Sequence, residues 1–437
     1  MKKPLYDIKP KYELKENKFY LWAENSVNYL ESSLKEEFDI EKWMAYQGAL
    51  PVKECLEHPD ESVFSNFVIV PEILRLYDLN FVSLENLGLA LDFAMLMNEC
   101  VDASDDFFIS KDLCTVHRML IGALVLGYMP RLKAFMQVGM CHCGDKTVKF
   151  FCDIAGSEFL FIDIPTMVRP YNDFKTPAMF DYMCFQVEDV MKKLEAITGR
   201  RPSAAKIKEV FELSNQAYEI YEKIKELRKH KPTVITAIPA WSSFLLCQNH
   251  VGTKRAIEFL NITYRELKKI IETGNFPVQP EHYRVLYQHI EPFWWPGFSK
   301  WLADKYHAAI VFEEVADVRN PWEPLDPARP VESLADAIMR SNIHFMATED
   351  QRAAYAADKC KEYGAEIVIH GSQLGCQWTH GALSVEKKRL NDRGISFFAY
   401  DNDNFDSRSF NWKQIEDRFD AFFASLPKKA VRRQEKK

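Results

Sequence analysis

The residues best suited to chemistry in this chain are cysteines next to short apolar runs. Cys141 and Cys143 follow AFMQVGM, Cys376 follows AEIVIHGSQLG, and Cys114 precedes a stretch typical of a helix. Metals bind the thiolate form of cysteine, and the N-terminus of a helix helps to stabilise that anion. Soft thiolates select iron–sulfur clusters, zinc or copper(I). These positions therefore form a candidate metal or redox site.

A structural role is the alternative for the same thiols. The chain has ten cysteines, and in a reducing compartment most cysteines are small buried hydrophobes rather than disulfide partners. Cys141 and Cys143 form a C-x-C pair, whereas zinc ribbons use C-x2-C, and the sequence has no second close pair. Ligands of any metal must therefore come from distant parts of the chain.

The segment HGSQLGCQWTHG adds possible proton carriers next to Cys376. His370 precedes this cysteine and His380 follows it. Either imidazole could carry a proton near neutral pH, although a lone histidine is more often a hydrogen-bonded structural residue. Gly371 and Gly375 bracket a turn whose amides could bind an anion, but the turn lacks the lysine of a P-loop.

Two further segments have both a functional and a structural interpretation. DNDNFDSRSF resembles a calcium loop but has Phe405 at a ligand position and Asp406 at the glycine position. Its aspartates are therefore expected to cap the last helix and shape a loop. IEPFWWPGFSKW could line a pocket for an aromatic or acyl group, or could form an aromatic core segment.

The elements that would position these residues alternate between strands and helices. From Phe64 onward, NFVIVPEILRLYDL, AFMQVGM and EFLFIDIP are short apolar runs next to helical stretches, although the first is ambiguous. A second series opens with HAAIVFEEV at His307 and continues through AEIVIHG and ISFFAYD to a last helix. Gly364 and Gly394 stand where helices are expected to end. This alternation is typical of βα units, in which ligands bind beyond the carboxyl ends of parallel strands.

The sequence thus predicts an α/β fold with two Rossmann- or flavodoxin-like parallel-sheet lobes, a helical N-terminal cap and a helical connector. The predicted boundaries are 1–62 for the cap, 63–180 for the first lobe, 181–300 for the connector and 301–437 for the second lobe. The cap and connector follow from helical periodicity, which is strongest in FQVEDVMKKLEAI and VFELSNQAYEIYEKIKELRKH.

Composition restricts the partners and the compartment. The net charge of -7 and the apolar content of 47% are ordinary for a globular protein. The one basic cluster, KKAVRRQEKK after Pro427, lacks interleaved aromatics, so nucleic acid is not an expected partner. MKKPLYDIKP has no apolar h-region, and the most apolar segment, from Leu84, contains acidic residues. We therefore expect no secretory signal, no membrane span and a cytoplasmic location.

The order of these segments resembles the family of (R)-2-hydroxyacyl-CoA dehydratases and ATP-dependent benzoyl-CoA reductases. The resemblance runs from about Pro71 to Leu426, through Cys114, CHCGDKTVKFF…FLFIDIP, YGAEIVIHGSQLGCQW and RGISFFAYDNDNFDSRSFNWKQIEDRFDAFFASL. The matching single residues are Cys141 with Lys146 five positions later, Asp406 with Arg408, and Arg418 with Phe422. Two loops, VGMCHCGDK and SQLGC, depart from the asparagine-rich run and the NRSC loop of many members, which leaves the substrate open.

The resemblance implies that Cys114, Cys141 and Cys376 hold one [4Fe–4S] cluster between the lobes, with Cys143 able to substitute for Cys141. Three protein ligands leave one iron open for water or substrate. It also implies that the chain is one part of a catalytic component that contains a related second subunit. An ATP-hydrolysing iron–sulfur activator, separate from this component, would supply electrons at low potential.

The chemistry implied by the resemblance starts from an acyl-CoA thioester, which is reduced to a ketyl radical anion. A dehydratase then expels a hydroxyl group, whereas a reductase adds electrons and protons to an aromatic ring; dehydration is slightly favoured. The expected proton donors are His380 and His370, and His380 is preferred because it lies about one helical turn beyond the cysteine. Two alternatives are a double-cubane reductase, with Cys143, Cys100 or Cys360 as further ligands, and a metal-free scaffold.

Overall fold

The computed structural model describes residues 12–66, 69–107, 109–165, 170, 173–236, 248–292, 294–295, 297–317, 319–341, 349–381, 383–409 and 411–427. Within these ranges eight strands form two sheets of four, and every pairing is parallel. The strands are β1 (Ser62–Ser65), β2 (Asn80–Ser83), β3 (Ala134–Gly139), β4 (Glu158–Asp163), β5 (Tyr283–Gln288), β6 (Ala308–Glu313), β7 (Ile367–Gln373) and β8 (Ser396–Asn402).

Both sheets have the same spatial order of strands. The first is ordered β2-β1-β3-β4 and the second β6-β5-β7-β8, so each places its first two strands in reversed order at one edge. This order is typical of flavodoxin-like, doubly wound folds. The predicted fold class, two α/β lobes with parallel sheets, is confirmed.

Helices surround both sheets and form the cap and the connection between the lobes. They are α1 (Lys18–Glu36), α2 (Ile40–Glu57), α3 (Glu72–Arg75), α4 (Leu84–Phe93), α5 (Met97–Asp106), α6 (Thr115–Val125), α7 (His142–Ala155), α8 (Pro177–Thr198), α9 (Ala204–Arg228), α10 (Lys254–Thr273), α11 (Phe298–Tyr306), α12 (Pro330–Ser341), α13 (Glu349–Tyr363), α14 (Gln377–Gly381), α15 (Leu383–Asn391) and α16 (Trp412–Ser425). Among the described helices, none combines the length and the hydropathy that a membrane crossing requires.

Local sequence explains where several of these helices begin and end. Ser203 accepts a hydrogen bond from the amide of Lys206 and caps α9, and Thr176 caps α8 through the amide of Met179. The two glycines predicted to end helices adopt the left-handed conformation, with φ of 64° at Gly364 and 76° at Gly394. Those two predictions are confirmed.

The second sheet begins earlier than the sequence suggested. β5 lies inside the range predicted as helical connector, yet it pairs with both β6 and β7 and is therefore a central strand. The polar residues of β5 interrupt the apolar pattern by which a buried strand is recognised in a sequence. Arg284 is 2% exposed because its guanidinium donates to the carbonyl of Tyr363 at 2.8 Å and to Glu281 at 2.7 Å. Tyr363 is 79 residues away in the chain, so the sequence does not show that Arg284 is buried, and the run YRVLYQ does not stand out.

The lobes share apolar packing and buried ion pairs. Phe405, from the loop after β8, belongs to the core of the first lobe, where its ring replaces a side chain at Gly88. A Cβ at Gly88 would lie 2.6 Å from this ring. Arg319 pairs with Glu72 of α3 at 2.5 Å, which joins the segment after β6 to the first lobe. These contacts fix the position of one lobe relative to the other.

Candidate functional site

A cavity of about 1030 Å³ lies between the lobes, at the carboxyl ends of strands from both sheets. Open α/β sheets bind their ligands at this edge. The residues that line it are Asn66, Glu85, Ile109, Asp112, Leu113, Cys114, Val116, His117, Gln137, Met140, Cys141, Cys143, Lys146, Thr147, Phe150, His289, Ile290, Val315, Gln373, Leu374, Gly375, Cys376, Trp378, His380, Asn404 and Phe405. Four of these are cysteines, and they include all three predicted ligands.

Cys114 and Cys376 come from different lobes and are brought together by a close backbone contact. Cys114 precedes α6, and Gly375, with φ of 75°, precedes Cys376. A Cβ on Gly375 would lie 2.7 Å from the backbone nitrogen of Cys114. Any other residue at Gly375 would collide with the first lobe and would also be strained at this φ. Gly375 therefore allows the turn of the second lobe to contact the N-terminus of α6.

A buried hydrogen bond also joins the two lobes next to Cys114. The hydroxyl of Thr115, the first residue of α6, donates to Oδ2 of Asp403 at 2.5 Å. Oδ1 of Asp403 accepts from the amides of Phe405 and Asp406. The loop after β8 is thereby shaped by its aspartates, as predicted. The last helix is capped by a different residue, Asn411, whose side chain accepts from the amide of Lys413.

Cys141 is the N-cap residue of α7 and faces a buried imidazole. Its Sγ accepts a hydrogen bond from the amide of Gly144 at 3.3 Å, and Nε2 of His117 lies 3.7 Å from the same sulfur. A Cβ on Gly144 would lie 2.9 Å from the His117 ring, so glycine permits this approach. Cys143, two residues further along and the second residue of α7, also lines the cavity.

Cys376 lies close enough to Cys114 and Cys141 to affect the pKa of both. Burial raises the pKa of Cys114 well above its usual value, and Cys376 and Cys141 raise it further. The pKa of Cys141 is also raised, first by burial and then by Cys376. Burial lowers the pKa of His117 to about 4, so this imidazole is neutral near pH 7 and does not compensate a thiolate. Adjacent buried thiolates therefore require a cationic partner, which a metal centre would provide.

The described residues contain no group of three or more His, Cys, Asp or Glu side chains placed to hold one metal ion. A tetrahedral ion with Zn–S bonds near 2.3 Å would hold its sulfurs roughly 4 Å apart. A cluster binds each cysteine through a different iron, so its ligands spread to about 7 Å. That Cys114, Cys141 and Cys376 hold such a cluster stays a prediction.

A buried cation stands behind the turn that carries Cys376. Arg352 is 2% exposed, and its guanidinium lies 3.8 Å from the ring centroid of Trp378, a residue of the cavity wall. It pairs with Glu314 at 2.9 Å and lies 3.7 Å from Glu386. Burial opposes the charge, but Glu314 and Glu386 outweigh burial and raise the pKa of Arg352. The second lobe thus places a charged guanidinium, paired with carboxyl groups, near the cavity.

The two predicted histidines have different positions. His380 lines the cavity, its side chain is 38% exposed, and its Nδ1 lies 3.2 Å from the carbonyl oxygen of Cys376. His370 is fully buried, is not part of the cavity wall, and bonds through Nδ1 to Gln288 at 3.2 Å. Burial, followed by Arg352, lowers the pKa of His370 well below its usual value. The structure thus brings only His380 of this pair to the cavity.

Two histidines of the cavity wall were not identified from the sequence. His117 lies three residues after Cys114, which places it one turn away on α6; this spacing was a usable signal. His289 directly follows β5 and adopts φ of 67°. The position of His289 at a strand end became visible only with β5 itself. Burial, then Arg352, lowers its pKa to about 3.

Two other segments have the structural role that was their alternative. Gly371 lies within β7, and a Cβ there would lie 2.3 Å from the Tyr287 hydroxyl, so it permits packing and does not begin an anion-binding turn. Trp295 packs against Trp301 and Trp412 with ring centroids 5.4 and 4.4 Å away. Among the described residues 290–292, 294–295 and 297–301, only Ile290 lines the cavity.

The chain belongs to a family described as "2-hydroxyglutaryl-CoA dehydratase, D-component", which matches residues 71–426. It is similar to the (R)-2-hydroxyisocaproyl-CoA dehydratase alpha subunit of Clostridioides difficile, with 20% identity over 81% of this chain and 87% of the relative. It is 24% identical to the (R)-phenyllactyl-CoA dehydratase alpha subunit of Clostridium sporogenes, over 71% of this chain and 75% of the relative. It is also 22% identical to one of the subunits of benzoyl-CoA reductase from Thauera aromatica, over 73% and 78%. The predicted family is confirmed, and its characterised members are enzymes.

Proposed function

We propose that this chain is the cluster-bearing subunit of a catalytic component for radical acyl-CoA chemistry. Cys114, Cys141 and Cys376 would hold a [4Fe–4S] cluster in the cavity between the lobes. The observation that carries the proposal is the convergence of these three cysteines, from three separate segments and both lobes, on one cavity wall. The effect of Cys376 on the pKa of both Cys114 and Cys141 supports the same grouping.

The cluster, when bound, would supply one-electron chemistry and an open iron position for a substrate oxygen. The chain's own residues would exclude water and stabilise the negative charge of the cysteine ligands. The N-termini of α6 and α7 stabilise thiolates at Cys114 and Cys141. Arg352 offsets negative charge next to Cys376. Apolar wall residues, among them Met140 and Leu374, keep the surroundings dry.

We assign the proton transfer to His380. This imidazole lines the cavity, is partly exposed, and is fixed through Nδ1 by the carbonyl of Cys376. That hydrogen bond leaves Nε2 as the atom that would hold the proton for the substrate; Asp401, with Oδ1 at 3.9 Å from Nε2, would help to orient the ring. His117 and His289 are buried, and their lowered pKa values make them poor proton donors near pH 7.

The proposed substrate is an acyl-CoA, and dehydration of an (R)-2-hydroxyacyl-CoA is favoured over reduction of benzoyl-CoA. The similar relatives support this preference because three of them are dehydratase alpha subunits and one belongs to a benzoyl-CoA reductase. The cavity volume of about 1030 Å³ is at the upper end of small-molecule sites, so an acyl group with its thioester would fit beside a cluster.

The proposed assembly contains a related second subunit and an ATP-dependent iron–sulfur activator. The relatives are named as single subunits of larger enzymes, several of them as alpha subunits, which supports a second subunit. An activator follows from the need for electrons at low potential. A cytoplasmic location is part of the proposal because thiolate ligands require a reducing compartment.

A double-cubane cluster is less favoured by the positions of the other cysteines. Cys143 lines the cavity, but Cys100 and Cys360 are fully buried and are not part of its wall. The carbonyl of Cys100 packs against Gly122 of α6, so its thiol has a structural role between α5 and α6. A metal-free scaffold would not account for the grouping of these thiols at one cavity.

An anaerobic assay of the chain with its partner subunit and activator tests the proposal. Panels of 2-hydroxyacyl-CoA thioesters and benzoyl-CoA should be supplied with ATP and a low-potential reductant. Formation of an enoyl-CoA from a 2-hydroxyacyl-CoA supports the favoured activity, and a cyclic diene from benzoyl-CoA supports the second. An iron-loaded complex that converts neither class would contradict the proposal.

A further inference from the structure

His117 is a buried histidine of the cavity wall to which the proposed acyl-CoA chemistry gives no role. It lies in the first turn of α6, and its backbone amide donates to the carbonyl of Cys114 at 3.0 Å. Its ring contacts a different predicted ligand, because Nε2 lies 3.7 Å from Sγ of Cys141, the N-cap residue of α7. One residue thus connects the segments that carry two of the predicted cluster ligands.

The surroundings of the imidazole fix it next to this sulfur. His117 is 5% exposed, and its Nδ1 has no hydrogen-bond partner within the described ranges. Nε2 is therefore the ring nitrogen with a polar contact. A Cβ on Gly144 would lie 3.1 Å from Nε2 and 2.9 Å from the neighbouring ring carbon, so the lack of a side chain at Gly144 leaves room for the ring.

These contacts select the nitrogen that carries the proton when Cys141 is a thiolate. A neutral imidazole has one N–H. A proton on Nδ1 of His117 would leave a buried donor unpaired and would turn the lone pair of Nε2 toward those of the sulfur. A proton on Nε2 instead forms an N–H···S hydrogen bond, and a charged imidazolium has the same N–H. Nε2 is therefore a donor to the thiolate in both forms of the ring.

The sulfur of Cys141 then accepts two hydrogen bonds. The amide of Gly144 donates the first at 3.3 Å, and Nε2 of His117 donates the second. Hydrogen bonds to the sulfurs of an iron–sulfur cluster help to set its reduction potential. Because reduction adds negative charge, each donor stabilises the reduced state more than the oxidised state. Loss of one donor should lower the potential.

We infer that His117 is a positioning residue that donates a hydrogen bond from Nε2 to the Cys141 thiolate and thereby raises the reduction potential of the cluster. The inference rests on the proposed function, because it requires Cys141 to be a cluster ligand. It makes reduction by the activator easier and is separate from the proton transfer assigned to His380.

A redox titration of the full-length chain, loaded anaerobically with iron and sulfide, tests this role. The reductant is titanium(III) citrate, and electron paramagnetic resonance measures the reduced fraction. His117→Phe keeps a planar ring but removes the donor. Its reduction equilibrium should shift about tenfold toward the oxidised state, the effect of one hydrogen bond to a charged group, and its midpoint should fall by about 59 mV.

Two amide variants separate the hydrogen bond from a merely structural role. His117→Gln places an amide N–H near the position of Nε2 and should keep a midpoint close to that of the wild type. His117→Asn has the same amide on a shorter side chain, near the position of Nδ1, and should resemble His117→Phe. If His117→Phe does not fold or load with iron, this pair decides the question, and equal midpoints of the pair overturn the inference.

A control variant and the iron content complete the test. His289→Asn changes another buried histidine of the cavity wall, whose Nδ1 lies 3.3 Å from Nδ2 of Asn404, and it should leave the midpoint unchanged. An equal fall in His289→Asn, or loss of iron from all three His117 variants, would contradict a role through one hydrogen bond. A wild-type chain that binds no iron overturns the proposed function as well, whereas an unshifted midpoint in loaded His117→Phe overturns this inference alone.

Discussion

The two lobes have the same strand order but prepare their cysteines for chemistry in different ways. In the first lobe, Cys114 and Cys141 are N-cap residues of helices, with Asp403 near the first and Asp145 near the second, and burial holds His117 uncharged. In the second lobe, Cys376 lies on a glycine turn that is backed by Arg352 and its two carboxylate partners. All three cysteines thus directly precede a helix, and a buried ion network is present only behind Cys376.

This difference shows that two lobes with the same strand order can surround the cysteines of one site with different interactions. Helix N-termini offer modest stabilisation of an anion without any buried charge, whereas the buried charge of Arg352 is already paired with Glu314 and lies next to Glu386. The close contact between Gly375 and the backbone of Cys114 joins the two solutions at one cavity. The comparison leads to four predictions with decreasing expected effect.

The largest effect is expected from the cysteines of both lobes. Cys114→Ser, Cys141→Ser and Cys376→Ser should each lose most of the bound iron, because a hydroxyl is a poor substitute for a thiolate ligand. Cys143→Ser is the matched control and should keep iron nearly intact. The measurement is the amount of iron and acid-labile sulfide per chain, determined anaerobically for each variant. Iron loss from Cys143→Ser with retention in Cys141→Ser would move the ligand role to Cys143.

The second effect concerns stability, and it should be confined to the ion network of the second lobe. Arg352→Gln leaves Glu314 and Glu386 buried without their cation, so the free energy of unfolding should fall by about 3–5 kcal/mol. Arg389→Gln removes an arginine of the same lobe whose pair with Asp350 is exposed, and it should change little. Urea denaturation of the metal-free chain measures both. Equal losses in the two variants would contradict the distinction.

The third prediction separates the two histidines next to the Cys376 turn. His380→Gln should lower turnover roughly a hundredfold, the lower end of what a positioned proton donor contributes, with the iron content unchanged. His370→Gln should not lower turnover per folded enzyme to this extent, because His370 lies outside the cavity wall. Near-normal turnover of His380→Gln would remove the proton-donor role from this residue.

The smallest effect is a pH dependence that differs between the lobes. His289 and His117 have pKa values lowered by burial to about 3 and about 4, so both are neutral in the folded chain. The unfolded chain takes up these protons below about pH 6.5, so stability is fully present above that pH and is lost as pH falls. Each group should contribute at most about 1.4 kcal/mol between pH 6.5 and 5.5.

Single variants resolve the two contributions. His289→Asn, which tolerates the left-handed conformation at this position, should flatten the stability curve from about pH 6.5 down to about 3. His117→Asn should flatten it only down to about 4. Denaturation midpoints recorded across this range measure the slope. Curves parallel to that of the wild type would show that burial does not keep these imidazoles neutral.

The sequence predicts the fold where apolar strands are uninterrupted. AFMQVGM contains β3, AEIVIHG and ISFFAYD contain most of β7 and β8, and the glycines that end two helices were recognisable from position alone. β5 was not predicted from the sequence because the polar residues Arg284 and Gln288 limit its apolar run. Their partners Tyr363 and Glu386 come from distant segments. β2 is four residues long and merges with α4 in the sequence.

The site was predictable to a smaller extent. Cys114, Cys141 and Cys376 were identified through the family resemblance, and the structure brings them to one cavity; their ligand role stays a prediction. The contribution of Arg352 could not be foreseen, because DQRAAYAADKCKEY has the pattern of an exposed charged helix. Its burial depends on Glu314 and Trp378, which are 38 and 26 residues away in the chain. Long-range packing of this kind leaves no local pattern.

Metal content of the wild-type chain, purified without oxygen, tests the central claim most directly. Three cysteines that hold one [4Fe–4S] cluster predict a brown protein with about four iron and four sulfide ions per chain. About eight irons per chain would replace the single cluster with a double cubane. A colourless chain that stays metal-free after anaerobic reconstitution with iron and sulfide, with its partner subunit present, would contradict the proposed function.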